Sequence, residues 1–343
     1  MTTPVNQHRR LLLHVGQPKT GASALRSWFV FNRNKLREAD IDYPEHPSDG
    51  ATLKGKVVSG NGVGLHTLFL SDDMLNAQNR ERTDLNAFVD SVESSHYGTT
   101  VYTTEAMWKI DPAQLESVRD ALGTRDIRIE IVAYVRDTAG HALSLYGQAV
   151  KRHKFTHDFS HFIGRTMNSP AFNQRVAESL SSWVAILGRE NIHVVHYDTH
   201  RKDVVTPLAK ILGAHSETEW EHGSAKEVNR SLTQVELLFM RELNKTVSDR
   251  SQLAKLSNIL MDIPAFGPRA SVLSQTDADH LREAYQPEVD KVNDEFFPQS
   301  RAYDVIGGTR VVDGSTDAPA LALARGTLSR GWPLQHHIWS DQT

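Results

Sequence analysis

The chain contains no cysteine among its 343 residues. Disulfide bridges, thiolate metal sites and a cysteine nucleophile are therefore excluded, and nothing argues for an oxidising compartment. A long apolar run is missing too. The opening stretch, Met1 to Arg10, is polar, and the apolar segment after it is only Leu11-Leu12-Leu13-His14-Val15. A bilayer span needs about 20 apolar residues, and a signal peptide core is also longer than this. The expectation is a cytoplasmic chain without a membrane anchor. Positive charge is not in excess either: 38 Lys and Arg stand against 42 Asp and Glu, a formal net charge of −4. No global field invites nucleic acid or anionic lipid, so any phosphate site must be local. What remains is ordinary for a globular protein, with 39% hydrophobic and 23% charged residues. The length allows a large core within one α/β domain with additions.

Four short apolar stretches read as buried strands of a parallel sheet: Leu11–Val15, Thr99–Thr103, Ile127–Val135 and Ile192–Tyr197. Each is followed by a turn and a helix-like stretch, the alternation of an α/β fold. Residues 45–85 are rich in Gly, Ser, Asn and Asp and hold little periodicity, which predicts a long functional loop or disorder. Beyond Arg230 the pattern turns helical. Leu232, Val235, Leu238 and Leu243 fall near helical spacing, as do Leu281, Tyr285, Val289, Val292 and Phe296. Pro287 is expected to kink or shift the second of these helices. The expected organisation is a single domain over residues 1–300, with C-terminal helices from about 231 to 300. A tail, 301–343, would then wrap the surface or dangle.

Between the first strand and the first helix lies Gly16-Gln17-Pro18-Lys19-Thr20-Gly21-Ala22-Ser23-Ala24-Leu25. A glycine-bearing loop in that position lets backbone N–H groups converge on an anion at a helix N-terminus. Gly16 and Gly21 have the spacing of the glycines in a nucleotide-binding P-loop, but such a loop then requires Lys and Ser or Thr. Ala22 takes the lysine position here, and Lys19 lies earlier, inside the loop. A lysine so placed suits a single 5′-phosphate and its leaving oxygen rather than the β- and γ-phosphates of a triphosphate. Thr20 and Ser23 supply hydroxyl donors. The plain alternative is a strand–turn–helix junction that uses glycine for tightness.

The run His14-Val15-Gly16-Gln17-Pro18-Lys19-Thr20-Gly21-Ala22-Ser23-Ala24-Leu25 resembles the 5′-phosphosulfate loop of sulfotransferases. It is closer to the heparan-sulfate and bacterial carbohydrate branches than to the steroid branch. The resemblance implies a P-loop-type three-layer α/β sandwich with a central parallel sheet and a helical C-terminal region. It also implies 3′-phosphoadenosine 5′-phosphosulfate as donor, 3′,5′-phosphoadenosine as product, and no metal. Ala22 departs from the family, which usually has Thr there, so one hydroxyl contact is lost while the backbone N–H remains.

A second segment begins where the strand Ile127–Val135 ends: Arg136-Asp137-Thr138-Ala139-Gly140-His141-Ala142-Leu143-Ser144. Arg136 stands at the carboxyl end of a parallel strand, where open α/β sheets bind ligands. Ser144 is expected about one turn into the next helix. A guanidinium with a hydroxyl makes a clamp for a phosphate monoester. The pair resembles the 3′-phosphate motif of the same family, with Thr138 where Pro is common. A triphosphate enzyme has no use for such a clamp.

In-line displacement at sulfur needs a base for the acceptor proton and a cation for the leaving phosphate oxygen. Lys19 is the expected cation. Glu105, just past the strand Thr99–Thr103, is the expected base, as in relatives of the heparan and bacterial type. It could instead be a helix N-terminal carboxylate. His66, in Gly62-Val63-Gly64-Leu65-His66, is the second candidate base. The segment Val228-Asn229-Arg230-Ser231-Leu232 is similar to one in bacterial relatives, and Arg230 would help close the donor site. His153, His157 and His161 recur every four residues, and Lys151-Arg152-His153-Lys154 forms a basic cluster. Both read as solvated faces. The acceptor expected from the branch resemblance is a saccharide or glycan. The rivals are a P-loop nucleotide kinase or ATPase, which would require Mg²⁺, and a binding protein that kept the donor fold without catalysis.

Overall fold

A computed structural model of the chain describes residues 9–54, 60–166, 175–214, 220–221, 231–265 and 272–314. Five strands form one parallel sheet: β1 (Arg9–Gly16), β2 (Ile41–Asp42), β3 (Thr99–Thr103), β4 (Ile127–Val135) and β5 (Ile192–His196). Their order is β2-β3-β1-β4-β5, and every pairing is parallel. β1 is the centre of the sheet, and Leu11, Leu12, Leu13 and Val15 on it are 0% exposed. A strand covered on both faces has to be apolar on both faces, which is why this run shows no alternation.

Helices cover the sheet. Helix Ala22–Phe31 buries Leu25, Trp28 and Phe29, the i, i+3, i+4 set of one face, in a cluster with Leu12, Val101, Val132, Tyr134 and Leu208. Helices Pro112–Gly123 and Val176–Leu187 pack on β4 and on each other. The result is the α/β arrangement expected from the strand–helix alternation.

The boundaries differ in instructive ways. β1 begins at Arg9 rather than Leu11, because Arg9 and Arg10 stay in register with β4 while their side chains reach away. Arg9 donates to the carbonyls of Val92, Glu93 and Ser95, and Arg10 to that of Leu212. β5 stops at His196, since Tyr197 already opens a short helix. β2 is two residues long, too short to carry a periodic signal.

The described part of 45–85 is built rather than structureless. It holds helix Asp49–Leu53, a 3₁₀ turn His66–Phe69 and helix Asp72–Ala77. Its polar residues work locally. Ser71 caps the helix after it, Thr67 and Thr83 share a hydroxyl hydrogen bond, and Arg82 donates to the carbonyls of Leu68 and Leu70. Such order comes from side chain–backbone bonds, which leave no hydrophobic period to read.

The chain splits into two compact units. The first, Met1–Asp137, Asn173–Val228 and Pro287–Asp304, contains the five-stranded sheet. The second comprises Thr138–Phe172, Asn229–Gln286 and Val305–Thr343. It contains helices Thr138–Arg152, Phe159–Thr166, Gln234–Thr246 and Arg250–Asp262. Thr233 and Glu236 form a full capping box at the start of the third. Helix Gln275–Phe296 continues through Pro287, and the division between units falls at that proline. Part of the C-terminal tail is ordered as well: Arg310–Val312 pairs in parallel with Val272–Ser274. No described helix is long and apolar enough to cross a membrane.

One buried charge ties three strands together. Glu130 on β4 is 3% exposed and pairs with Arg10 of β1 at 3.0 Å, with Arg128 at 2.6 Å and with His193 of β5 at 3.1 Å. Burial pushes its carboxyl up, but the His193 hydrogen bond and the two guanidinium groups outweigh that and bring it down to about 2. A carboxylate whose folded pKa is depressed stabilises the fold above its unfolded value and loses that contribution as the pH falls towards the folded value. Acid titration from pH 5 to 2 is therefore expected to cost roughly 2 kcal/mol through Glu130. Chemical denaturation across that range checks it, and the Glu130→Gln variant should show a flatter loss of stability than the parent.

Candidate functional site

The site is built where the chain changes sides. From β1 it goes to β2 and β3 on one flank, and then to β4 and β5 on the other. Ligands of open parallel sheets bind at the carboxyl edge near such a point. The segments following β1, β3 and β4 are those carrying Lys19, Glu105 and Arg136.

The loop after β1 is tightly closed. The Gln17 N–H donates to the Tyr134 carbonyl at 3.1 Å, and its buried side-chain oxygen accepts the Arg136 N–H at 2.8 Å. Thr20 donates its hydroxyl to the Gln17 carbonyl at 2.6 Å. That hydroxyl is spent within the loop rather than offered outward. Lys19 has φ 73° and Gly21 φ 84°, so the chain turns through the left-handed region twice around Thr20. At Gly21 a Cβ would stand 3.0 Å from Val204 and 3.3 Å from Tyr197, so glycine is needed for space as well as for conformation. Helix Ala22–Phe31 starts with Gly21 as N-cap and no side-chain cap. The N–H groups of Ala22 and Ser23 come before the first helical bond and carry the positive end of the helix dipole. Ala22 is 2% exposed, which accounts for a small apolar residue where a hydroxyl was expected. Ala24 gives its N–H to the Gly21 carbonyl and closes the first turn.

Arg136 leaves β4 beside this loop. Its Nη1 reaches the Lys19 carbonyl at 3.4 Å, its Cζ lies 5.3 Å from the centre of the Tyr197 ring, and its Nε is 3.5 Å from Asp198 Oδ1. Asp198 also accepts the Asp137 N–H at 3.0 Å. Burial pushes the Asp198 carboxyl up, Arg136 pulls it down, and the Asp137 charge pushes it up again. Among the described residues Asp137, His196 and Asp198 form a group compact enough for a metal ion, with ligand atoms within 4.8 Å of one another. These atoms are already matched: Asp137 faces His196 Nε2 at 2.9 Å and accepts the Asp304 N–H, while Asp198 faces Arg136.

Glu105 opens a 3₁₀ turn, Glu105–Lys109, directly after β3. Its side chain is 36% exposed and lies 3.9 Å from Arg26, whose side chain is 5% exposed. His66 is 8% exposed, and both ring nitrogens are engaged, Nδ1 with the Val63 carbonyl and Nε2 with Arg80 at 2.9 Å. The ring donates to the carbonyl and accepts from the guanidinium, which leaves no lone pair for an acceptor proton. Ser144 belongs to the second unit, half-buried and nearly two turns into helix Thr138–Arg152 rather than one. Arg230 lies outside the described residues. His157 and His161 are exposed and stack on each other, with ring centres 4.0 Å apart.

Three residues of the site were missed in the sequence: His14, Arg26 and Asn61. His14 is 1% exposed, bonds Thr103 Oγ1 through Nδ1 at 2.7 Å, and has no partner at Nε2 among the described residues. Burial, with Arg26 adding to it, lowers its pKa to about 3, so it is neutral. Asn61 pins its own segment, Gly60 to Gly62, to β3, donating to the Val101 carbonyl at 3.0 Å and accepting the Thr103 N–H at 2.9 Å. Arg26 is the one charged residue of helix Ala22–Phe31 and directly follows Leu25, which is all the sequence offers to mark it.

Gly60 completes the wall. It has φ 87°, and a Cβ there would stand 2.3 Å from the Thr103 carbonyl oxygen and 2.8 Å from Arg26 Cδ. Gly60→Ala is therefore expected to destabilise the protein by about 2 kcal/mol or more, since both the conformation and the space are denied. Thermal unfolding checks it, with Gly64→Ala, where a Cβ meets nothing within 4 Å, as the mild control.

No protein-family model matches the chain, and no curated protein matches it. Solved structures similar to it include the sulfotransferase from Alicyclobacillus acidocaldarius, at 14% identity and a TM-score of 0.46, covering 83% of this chain and 95% of that one. A mouse sulfotransferase complexed with PAP is similar at 12% identity and a TM-score of 0.39, covering 84% and 87%. The sulfotransferase domain of a Synechococcus olefin synthase is similar at 12% identity and a TM-score of 0.33, covering 77% and 99%.

Proposed function

We propose that this protein transfers a sulfuryl group from 3′-phosphoadenosine 5′-phosphosulfate to a hydroxyl or amine acceptor, a saccharide being the acceptor class the branch resemblance favours. The observation that carries the reading is the Gly16–Ser23 loop. It has a lysine inside the turn rather than after the second glycine, and a buried alanine where a triphosphate-binding loop needs its lysine.

The chemistry follows from the residues. The acceptor oxygen or nitrogen forms a bond to sulfur. The bond from sulfur to the bridging phosphate oxygen breaks, and its electron pair stays on that oxygen. Lys19 and the N–H groups of Thr20 to Ser23 stabilise this charge, with the hydroxyl of Ser23 as a further donor. Gln17 and Pro18 shape the approach to the loop. Glu105 takes the acceptor proton, and its partial exposure leaves it open to an acceptor. Glu105 is preferred to His66, whose nitrogens are both occupied. The Arg136 guanidinium binds the 3′-phosphate. The part of Ser144 in that clamp, and of Arg230 in closing the donor site, rests on the sequence resemblance. None of these steps calls on a metal.

Calorimetric titration with 3′,5′-phosphoadenosine in the absence of Mg²⁺ tests the donor assignment without knowledge of the acceptor. Wild type is expected to bind in the micromolar range, and Arg136→Ala to bind about 2–4 kcal/mol more weakly, the loss of a charge-assisted phosphate contact. A folded wild type that ignores this ligand and binds ATP with Mg²⁺ would make the kinase reading the better one.

A further inference from the structure

Arg26 is a charged side chain at this edge that the proposed chemistry leaves unused, and its surroundings are unusual. It is 4% exposed, on a helix whose neighbouring buried residues are Leu25, Trp28, Phe29 and Val30. A guanidinium in such a place is costly unless its charge and its donors are used. Burial pulls its pKa down, and the Glu105 carboxylate pushes it back up. The surrounding structure is fitted to it. Gly60 leaves room for its Cδ, and Asn61 and the Gly62 N–H hold that glycine loop on β3. Its Nη2 donates to Ser23 Oγ at 3.1 Å and lies 3.9 Å from Glu105 Oε1, while Nε has no hydrogen-bond partner among the described residues.

From this arrangement we infer that Arg26 is a positioning residue for the donor loop: by occupying a lone pair of Ser23 Oγ it turns the Ser23 hydroxyl proton outward, towards the 5′-phosphate. The inference rests on the donor-loop reading above. The physical reason is the inventory of a serine hydroxyl, which has one proton to give and two lone pairs to receive. An unassisted serine in the first turn of a helix rotates among several acceptors. With a cationic N–H fixed on the oxygen, the proton is repelled from the guanidinium and has to point elsewhere. The spacing makes the contact possible, because residues 23 and 26 are i and i+3 on one helix and stand on the same side. Glu105 balances the buried cation. The same guanidinium thus serves a donor-loop hydroxyl and the proposed base, which places these two groups at a fixed distance.

A double-mutant cycle on 3′,5′-phosphoadenosine binding tests this, using wild type, Ser23→Ala, Arg26→Met and the double variant. Each single change is expected to weaken binding about 5–20-fold, the worth of one hydrogen bond to a charged group. The double variant is expected to bind no more weakly than the weaker single one, because both remove the same directed proton. Arg26→Lys, which keeps a cationic donor on a long stem, should recover most of the loss. It also serves as the readable variant if the Met side chain disturbs folding in a thermal melt. Losses that multiply in the double variant, or an Arg26→Met protein that binds like wild type, would overturn the inference while leaving the donor site intact. A folded wild type that does not bind this ligand at all would remove the donor reading, and the inference with it.

Discussion

Three adjacent parallel strands end level with one another, and the rest of the site depends on that register. His14 of β1 pairs with Thr103 of β3, and Gly16 pairs with Tyr134 of β4. The segment after each strand therefore starts at the same edge, one contributing Lys19 and Ser23, one Glu105 and one Arg136. A slip along the ladder would carry these groups away from one another. The register is enforced by apolar burial, since Leu11, Leu12, Leu13, Val101, Ile131 and Val132 are all fully covered. Near the other end of the strands Glu130 fixes it again, with partners on β1, β4 and β5.

On this edge the charges are arranged in pairs. Arg136 faces Asp198, and Arg26 faces Glu105. With an overall charge of −4, the anionic donor proposed above would gain nothing from the protein at a distance and would depend on this local ordering. Each cation is held in the folded state by a carboxylate beside it and by a wall behind it, Tyr197 for Arg136 and the Gly60–Gly62 loop for Arg26. Preorganisation of this kind keeps the cost of orienting donors out of the binding event.

Much of this was legible in the sequence, for identifiable reasons. β3 and β4 were readable to the residue because runs rich in Thr, Val, Ile and Tyr, bounded by turns, mark strands of a buried parallel sheet. The Gly16–Ser23 loop was readable because glycine, proline and lysine stand at fixed offsets between a strand and a helix. The two-residue β2 was not, since no period exists at that length. Order in the described part of 45–85 escaped notice because it is made by single side chains reaching backbone carbonyls, as with Asn61 and Arg82. Arg26 was passed over because a lone charge in a helix usually faces water. Its burial is a tertiary fact, set by Gly60 and Thr103 from distant parts of the chain. The occupied nitrogens of His66 likewise depend on Arg80, a partner that spacing alone does not suggest.

The most direct test of the central claim is to follow the transferred group. The protein is incubated with sulfur-labelled 3′-phosphoadenosine 5′-phosphosulfate and a panel of saccharides, hydroxyl compounds and amines, with a chelator in place of Mg²⁺. The label is then traced by chromatography and mass spectrometry in wild type and Glu105→Gln. The account predicts label on at least one acceptor in the wild type and its near-complete loss in the variant, with 3′,5′-phosphoadenosine affinity retained. A wild type that holds the nucleotide yet moves no label to any member of the panel would contradict it, as would a Glu105→Gln variant that transfers at the full rate.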